Sequence, residues 1–423
     1  MITPEPSSNS AASGGGLFRT ADGRNLFLTF ALVTSLFLLW GFCNGMIDIL
    51  NKHFQDSLHI NKAQSGLVQF ANYIAYFLMA IPAGLLARKF GYKGGILVGL
   101  VLIASGAFWF IPATHIGTYW AFLTGLFIVA SGMTCLETIA NPYTTLLGAP
   151  ASGATRINIA QTFNGLGWIL GPIVGGHFVF RGGENNNSDA GLYVPYLGVG
   201  IVVAVLIVIF ALARVPDLRA EEEVAAEAEG KGAKPLWQRS HFTLGVAAQF
   251  LYVAAQTGIF SFFVNYVLEN DASVTKLQAS TWLGAFGFGL FMFGRLCGSA
   301  VISLSQPHRV LATYAAINVG LTAVAMGGGR LGLYALFGTF FFMSVMFPTI
   351  FALGIRGLGD HTKLGSSLIV MSIVGGALAP PFMGHIADVH SMRAGFVVPL
   401  VCFVFIALYG AAWQKLEARD RAA

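Results

Sequence analysis

Charge is what this sequence has least of. Only 10% of its 423 residues are Asp, Glu, Lys or Arg, while 55% are apolar and the mean hydropathy is +0.69. A water-facing surface on a chain this long needs roughly a quarter of its residues charged, so the deficit excludes a soluble enzyme and points to a surface in contact with lipid. Disorder, collagen and a coiled coil are excluded by the same figures. Cysteine is scarce too. Cys43, Cys135, Cys297 and Cys402 each sit in an apolar run with no C-x-x-C or Cys/His spacing, so they indicate neither disulfide nor metal and read as isolated buried thiols. No G-x-S-x-G or H-E-x-x-H run occurs, and the 9 histidines fall in links or at the ends of apolar runs, which argues against a membrane-embedded enzyme and against a bound haem or metal. No cofactor is expected beyond a coupling ion.

What is present is a series of apolar runs. The first, from Asn25 to Leu50, is longer than the core of a signal peptide and lacks a small-residue cleavage site, so it is expected to remain as a span. Further spans are expected near 63–87, 94–111, 119–147, 155–180 and 193–214, and a second six near 242–268, 277–303, 308–327, 331–356, 364–386 and 395–414. Each holds about 20 mostly apolar residues, enough to cross a hydrocarbon core of roughly 30 Å as a helix. The net charge of +5 suits membrane topology better than nucleic acid, because the basic residues lie in short links. With twelve spans and the N-terminus cytoplasmic, 17 Lys and Arg fall on the cytoplasmic side, among them Arg88, Lys89, Lys93, Arg156, Arg214, Arg309, Arg356 and Lys363. Only 6 lie opposite, at Lys52, Lys62, Arg181, Lys276, Arg330 and Arg393, with Arg295 inside a span. Both termini are therefore expected in the cytoplasm.

The longest polar stretch, 215–240, carries Glu221, Glu222, Glu223, Glu227 and Glu229 and reads as a linker between two halves, 25–214 and 241–415. Residues 1–24 and 416–423 read as cytoplasmic tails, the first disordered. Internal repetition supports the division. Pro142 and Gly148 match Pro348 and Gly354 at a separation of 206, Gly167, Pro172 and Gly175 match Gly376, Pro381 and Gly384 at 209, and Gln64, Phe77 and Gly84 match Gln278, Phe291 and Gly298 at 214. Six spans per half give both copies the same orientation, the arrangement of two-bundle secondary transporters.

Intramembrane polar groups are costly and therefore informative. A carboxylate at mid-bilayer costs about 2.5–3.5 kcal/mol on insertion scales. Two acids lie well inside the spans: Glu137, mid-way along the fourth, and Asp48, nearer the outer end of the first. Each is a proton-coupling candidate, since a carboxyl held there can take up and release a proton during turnover. The structural alternatives are a carboxyl bonded between helices and an interfacial residue. Asn44, Asn72, Tyr73, Tyr76, Asn141, Gln161, Asn164, Gln249 and Gln256 are the substrate-binding candidates. Amides donate and accept, and aromatic faces suit the apolar side of a pyranose, so the set favours a neutral sugar over an ion. Interhelical hydrogen bonding competes for each one singly. Arg295 lies toward the inner end of the eighth span, where it either pairs with an acid or snorkels to the interface. The repeat sets Glu137 against Met343, Asn164 against Ile373 and, at a separation of 213, Asp48 against Ser261, so proton chemistry belongs to the N-terminal half.

Several strings resemble the L-fucose:proton symporter group of the major facilitator superfamily. They are Leu39-Trp40-Gly-Phe-Cys-Asn44-Gly-Met-Ile-Asp48, Gln64-Ser-Gly-Leu-Val-Gln69, Cys135-Leu-Glu137-Thr-Ile-Ala-Asn141-Pro142-Tyr143 and Asn158-Ile-Ala-Gln161-Thr-Phe-Asn164 in the first half. Ala248-Gln249-Phe-Leu-Tyr252 to Gln256-Thr257, Phe347-Pro348 to Gly354 and Gly365 to Met371 continue the likeness in the second, over roughly 25–415. The resemblance implies an all-α protein of twelve transmembrane helices in two six-helix bundles in the bacterial inner membrane; a monomer surrounded by lipid is expected. It also implies Asp48 and Glu137 in proton coupling and sugar binding, with Gln161 and Asn164 lining the cavity. The fucose-type Asn-Asn-x-Asn-Asp string reads here as Asn44-Gly45-Met46-Ile47-Asp48, without two of its amides, and the link at Arg88–Lys93 lacks the acid usual in the superfamily. Similar members carry glucose, galactose, mannose or N-acetylglucosamine, some with sodium. The expected function is import of a neutral monosaccharide coupled to H+ or Na+, the alternative being an exporter of drugs or metabolites.

Overall fold

The computed structural model describes residues 16–19, 23–149, 152–180, 190–216, 236–358 and 362–422. Among them, helical runs long and apolar enough to cross a membrane are Phe27–Ser57, Lys62–Ile116, Tyr119–Leu146, Thr155–Phe180, Tyr193–Leu212, Ser240–Asn270, Lys276–Ile302, Pro307–Gly327, Gly329–Ile355, Gly365–Val389 and Met392–Asp420. The second run holds two spans. A straight helix of its 55 residues would reach about 80 Å, far beyond the bilayer. The backbone breaks once, at Gly91, with φ 77° and ψ 173°. Positive φ is cheap only for glycine, so this residue lets 62–90 and 92–116 double back without a loop. The twelve spans are numbered 1 to 12 in chain order.

The spans exceed the hydropathy windows because basic residues at their ends stay helical and serve as caps. Lys93 donates from Nζ to the carbonyls of Ala211 and Ala213, at 2.9 and 2.8 Å, at the C-terminal end of span 6. Arg156, fully buried, donates to the carbonyls of Thr144, Thr145 and Ala149 at the end of span 4 and to Leu17. That last bond corrects the expected tail. Residues 16–19 fold back, and Phe18 packs on Phe27 and Phe30 with ring centroids 5.3 and 4.8 Å away. A buried guanidinium needs acceptors, and Leu17 supplies one. Span 12 likewise continues as helix to Ala422 through the expected C-terminal tail. The acidic run at 221–229 lies outside the described residues.

Two large cores form, with a small third cluster at Leu236, Phe242, Leu358 and Ile369. One gathers side chains from Leu26 to Phe210, the other from Ala248 to Trp413, which gives two six-helix bundles. Cys43, Cys135 and Cys402 are buried as expected, whereas Cys297 keeps partial exposure. The repeats diverge in regularity. Span 8 passes through a π-helical turn at Leu283–Phe288, span 10 is interrupted between Met343 and Met346, and span 11 tightens into a 3-10 turn at Ser372–Val374. Their counterparts 4 and 5 run on, and span 2 has only a turn at Gly66 near its start.

Between bundles, spans 1, 2 and 5 meet spans 7, 11 and 8. Small residues permit the approach. A Cβ on Gly66 would stand 2.5 Å from Pro381 N, one on Gly384 2.5 Å from the Lys62 carbonyl, and one on Gly284 2.5 Å from the Ile169 carbonyl. Within the first bundle, spans 1 and 5 touch at Gly41 and Gly167, where a Cβ on Gly167 would lie 2.6 Å from Phe42 N and closer still to the Leu38 carbonyl. Gly167→Val is expected to destabilise the detergent-solubilised protein by about 1–3 kcal/mol, lowering its unfolding temperature. Gly84→Ala, with nothing within 4 Å of the new Cβ, is expected to leave that temperature unchanged or higher.

Candidate functional site

Span 1 and span 4 run in opposite directions, so their acids sit at different depths. Asp48 lies nine residues short of Ser57, and Glu137 nine residues short of Leu146 at the other end of the bundle. Each is thus about 14 Å from its helix end. A track of polar side chains lies between them.

At its upper end Asp48 is 3% exposed and accepts from Gln69 Nε2 at 2.8 Å through Oδ1. Among the described residues its Oδ2 has no hydrogen-bond partner within bonding geometry, nor has the Ser261 hydroxyl, which stands beside it from the other bundle. The two residues that the repeat aligned are therefore neighbours, as pseudo-two-fold mates near the axis must be. One turn down span 1, Asn44 donates to the Trp40 carbonyl at 3.0 Å and reaches Met133 Sδ of span 4 at 3.6 Å. Trp40 donates from Nε1 to the Tyr76 hydroxyl at 2.7 Å. Tyr73, on the neighbouring turn of span 2, accepts from Thr257 Oγ1 of span 7 at 3.1 Å, and its ring lies 6.2 Å from that of Tyr76.

Glu137 stands within electrostatic reach of both tyrosines. It keeps part of its surface accessible, and its carboxyl has no hydrogen-bond or ion-pair partner among the described residues. A carboxyl in this position is free to exchange a proton with an entering solvent or ligand group, which a carboxyl locked between helices is not. One turn beyond, Asn141 accepts from Gln161 Nε2 at 3.2 Å through Oδ1 while donating to the Glu137 carbonyl at 3.0 Å. The lower end of the track is thus a row of half-buried amides beside an acid.

Not every candidate joins it. Asn164 spends its amide on the Phe37 carbonyl at 3.2 Å, at the glycine contact of spans 1 and 5, where it serves packing. Among the described residues, Gln249 is fully buried with neither amide atom bonded, and Asn72 is 2% exposed with its Oδ1 unpartnered. Gln256 is half-buried on span 7, one residue before Thr257. Arg295 is half-buried on span 8: its guanidinium lies 5.3 Å from the Phe291 ring centroid, one turn back on the same helix, and near the buried Tyr252, with the Ser344 carbonyl 3.5 Å from Nε.

Residues 29–373 match the Major Facilitator Superfamily. The L-fucose-proton symporter of Escherichia coli (strain K12) is 38% identical over 410 residues, covering 92% of this chain and 93% of its own. The chain belongs to the L-fucose:proton symporter-like family of the major facilitator superfamily. A Brucella abortus glucose/galactose transporter is 35% identical over 421 residues, 98% of this chain and 100% of its own. Among solved structures, the superfamily transporter FucP in its outward conformation shares 37% identity and a TM-score of 0.64, over 92% of this chain and 99% of that one. The fold also matches an inward-facing bacterial homologue of the lysosomal transporter Spinster, with a TM-score of 0.74 at 15% identity, over 93% and 98% of the chains. The superfamily fold of twelve membrane helices in two bundles, and a transporter instead of an enzyme, are what these relatives share.

In this superfamily member, Gln69, Trp40, Thr257 and Ser261 are track residues that sequence reasoning did not single out. Gln69 carried a signal, being an amide in an apolar span three residues before Asn72. Ser261 had one too, as the repeat partner of Asp48. Gln69→Leu removes the donor that holds Oδ1 of a buried carboxyl and is expected to cost about 1–3 kcal/mol of stability in thermal unfolding, whereas Gln161→Leu, at a half-buried amide, costs less. Equal unfolding temperatures for wild type and Gln69→Leu would show that this bond does not hold Asp48.

Proposed function

We propose that this protein imports a neutral monosaccharide, such as fucose, galactose, glucose or N-acetylglucosamine, in symport with a proton by alternating access. The observation that carries the reading is the track itself: two membrane-depth acids joined by amides and aromatic rings, one of them, Glu137, with an unengaged carboxyl beside Tyr73 and Tyr76. Relatives named for L-fucose-proton symport and for glucose/galactose transport support the substrate class. In this reading Glu137 carries the proton and Asp48 senses the state of the bundle interface. Asn44, Asn141, Gln161, Tyr73 and Tyr76 hold the sugar, with Asn72, Gln249 and Gln256 toward the second bundle. Asn164 contributes by setting the spacing of spans 1 and 5.

The protein acts as a monomer in the bacterial inner membrane with both termini in the cytoplasm, an orientation supported by the excess of Lys and Arg at the end that carries Arg88, Lys89 and Lys93. The halves 25–214 and 241–415 are the rocking units, linked by 215–240. With this orientation, the bundles meet at the periplasmic end, and Asp48 is sealed while Glu137 keeps accessible surface. That is an inward-facing state, which accords with the moderate TM-score of 0.64 against an outward relative at 37% identity.

A sugar carried with one proton gains about 2.3 kcal/mol per 100 mV of membrane potential, or about fifty-fold accumulation before any pH gradient. One titratable group exposed alternately to each side suffices. The test is uptake into proteoliposomes with a panel of labelled hexoses, with and without a pH gradient and sodium. Glu137→Gln is expected to abolish uphill accumulation, a loss of about fifty-fold at 100 mV, and to retain sugar counterflow. Retention of uphill accumulation rejects Glu137 as the proton carrier, and sodium dependence without pH dependence rejects the proton.

A further inference from the structure

The ends of spans 1, 2, 7 and 8 come together at one end of the molecule, and they are charged there. Asp56, on the last turn of span 1, pairs with Lys276 at the start of span 8, with 2.6 Å between Oδ2 and Nζ. Glu269, on the last turn of span 7, pairs with Lys62 at the start of span 2 at 3.6 Å. Both pairs cross from one bundle to the other, in opposite senses. They are also copies of each other. Asp56 and Glu269 are 213 residues apart, the separation that aligns Asp48 with Ser261, and Lys62 and Lys276 are 214 apart, the separation that aligns Gln64 with Gln278.

The backbone around the lysines repeats as well. Asn61 caps span 2 in a capping box with Gln64, and Thr275 caps span 8 in a capping box with Gln278. Each lysine therefore leaves the first position of a capped helix and reaches for an acid at the end of the facing span. An interface around a two-fold axis is self-complementary, so a contact that works once appears twice. An incidental surface pair has no reason to recur at the repeat separation.

Beneath this rim the same spans are joined by polar rungs. Asn265 donates to Gln55 Oε1 at 2.6 Å, and Asn51 donates to the Ser261 carbonyl at 3.2 Å. Asp48 is the next polar residue down. Asp388 of span 11 adds a tie, accepting from the backbone N–H groups of Lys62 and Ala63 at 3.0 and 2.9 Å. By contrast, Lys52 pairs with Asp56 within span 1, at 2.8 Å, and crosses nothing.

We infer that the reciprocal pairs Asp56–Lys276 and Glu269–Lys62, with the amide rungs below them, form the outer gate that separates Asp48 from the periplasm and must part in each cycle. The inference rests on the orientation proposed above. The chemistry of the seal suits repeated opening. The four charged side chains are 25–33% exposed, so on separation each regains water and little is lost. An apolar seal of the same extent would have to expose hydrocarbon each time.

The test reads the gate without sugar or transport. Spin labels on Thr118→Cys and Ala272→Cys, exposed positions in outer links of opposite bundles, report the separation of those ends by pulsed dipolar spectroscopy after the native cysteines are replaced. In the wild-type background the short distance is expected to dominate. Lys276→Gln and Lys62→Gln are each expected to raise the ratio of long to short distances about threefold, and the double variant about tenfold. Lys52→Gln is expected to leave it unchanged. Salt supplies a readout that needs no gate substitution: raising ionic strength from about 0.02 to about 0.5 M should widen the same distribution by screening the pairs. A double variant that matches wild type, a Lys52→Gln protein that opens as far as Lys276→Gln, or a distribution indifferent to salt overturns the proposal. If sugar uptake fails while the distances shift as stated, the substrate reading falls and the gate stands.

Discussion

A carboxyl group carried into hydrocarbon must be neutral, partnered or placed against a path to water, and this protein depends on how two such groups are accommodated. Asp48 and Glu137 receive opposite treatments. Asp48 is enclosed, with one oxygen held by Gln69 and the other facing Ser261 across the bundle interface. Glu137 is left unengaged beside two tyrosines with part of its surface accessible. The glycines that bring spans 1 and 5 together, and those that let span 2 meet span 11, can be understood as what packs helices tightly enough to enclose one acid while the other stays reachable. In the function proposed above, rocking the bundles exchanges the two environments and so links protonation at one depth to access at the other.

Most of the architecture was legible because the bilayer imposes few solutions. Apolar length gave the spans, and the separations of 206 to 214 residues gave the two copies. What was not legible was decided by single contacts. Hydropathy placed a loop near 88–93, where one positive-φ glycine, Gly91, turns the chain instead. Composition assigned 16–19 to a disordered tail, although a buried Arg156 needed the Leu17 carbonyl and Phe18 found aromatic partners. Interruptions of spans 8, 10 and 11 had proline and glycine as hints, but the same residues in span 5 leave a continuous helix.

The site was legible as a list and not as an arrangement. Asp48, Glu137, Asn44, Asn141, Gln161, Tyr73 and Tyr76 do fall on one track, since polar residues inside lipid-facing helices turn toward each other. Pairing was invisible: Gln69 to Asp48, Trp40 to Tyr76 and Thr257 to Tyr73 join different helices, and no local pattern announces them. Asn164 illustrates the reverse. Its amide is polar and central, yet a close helix crossing consumes it. Arg295 had two readings from position alone, and its contacts with Phe291 and Tyr252 are compatible with both.

The central claim is that the span-4 carboxyl changes its protonation in step with sugar occupancy. Infrared difference spectroscopy of the purified protein, comparing wild type with Glu137→Gln, isolates the carbonyl stretch of that one protonated carboxyl. The account predicts that the band titrates with pH and shifts its midpoint when a transported sugar is added. A band that stays constant over the whole accessible pH range, with and without sugar, in a protein that still concentrates sugar in vesicles, would contradict it.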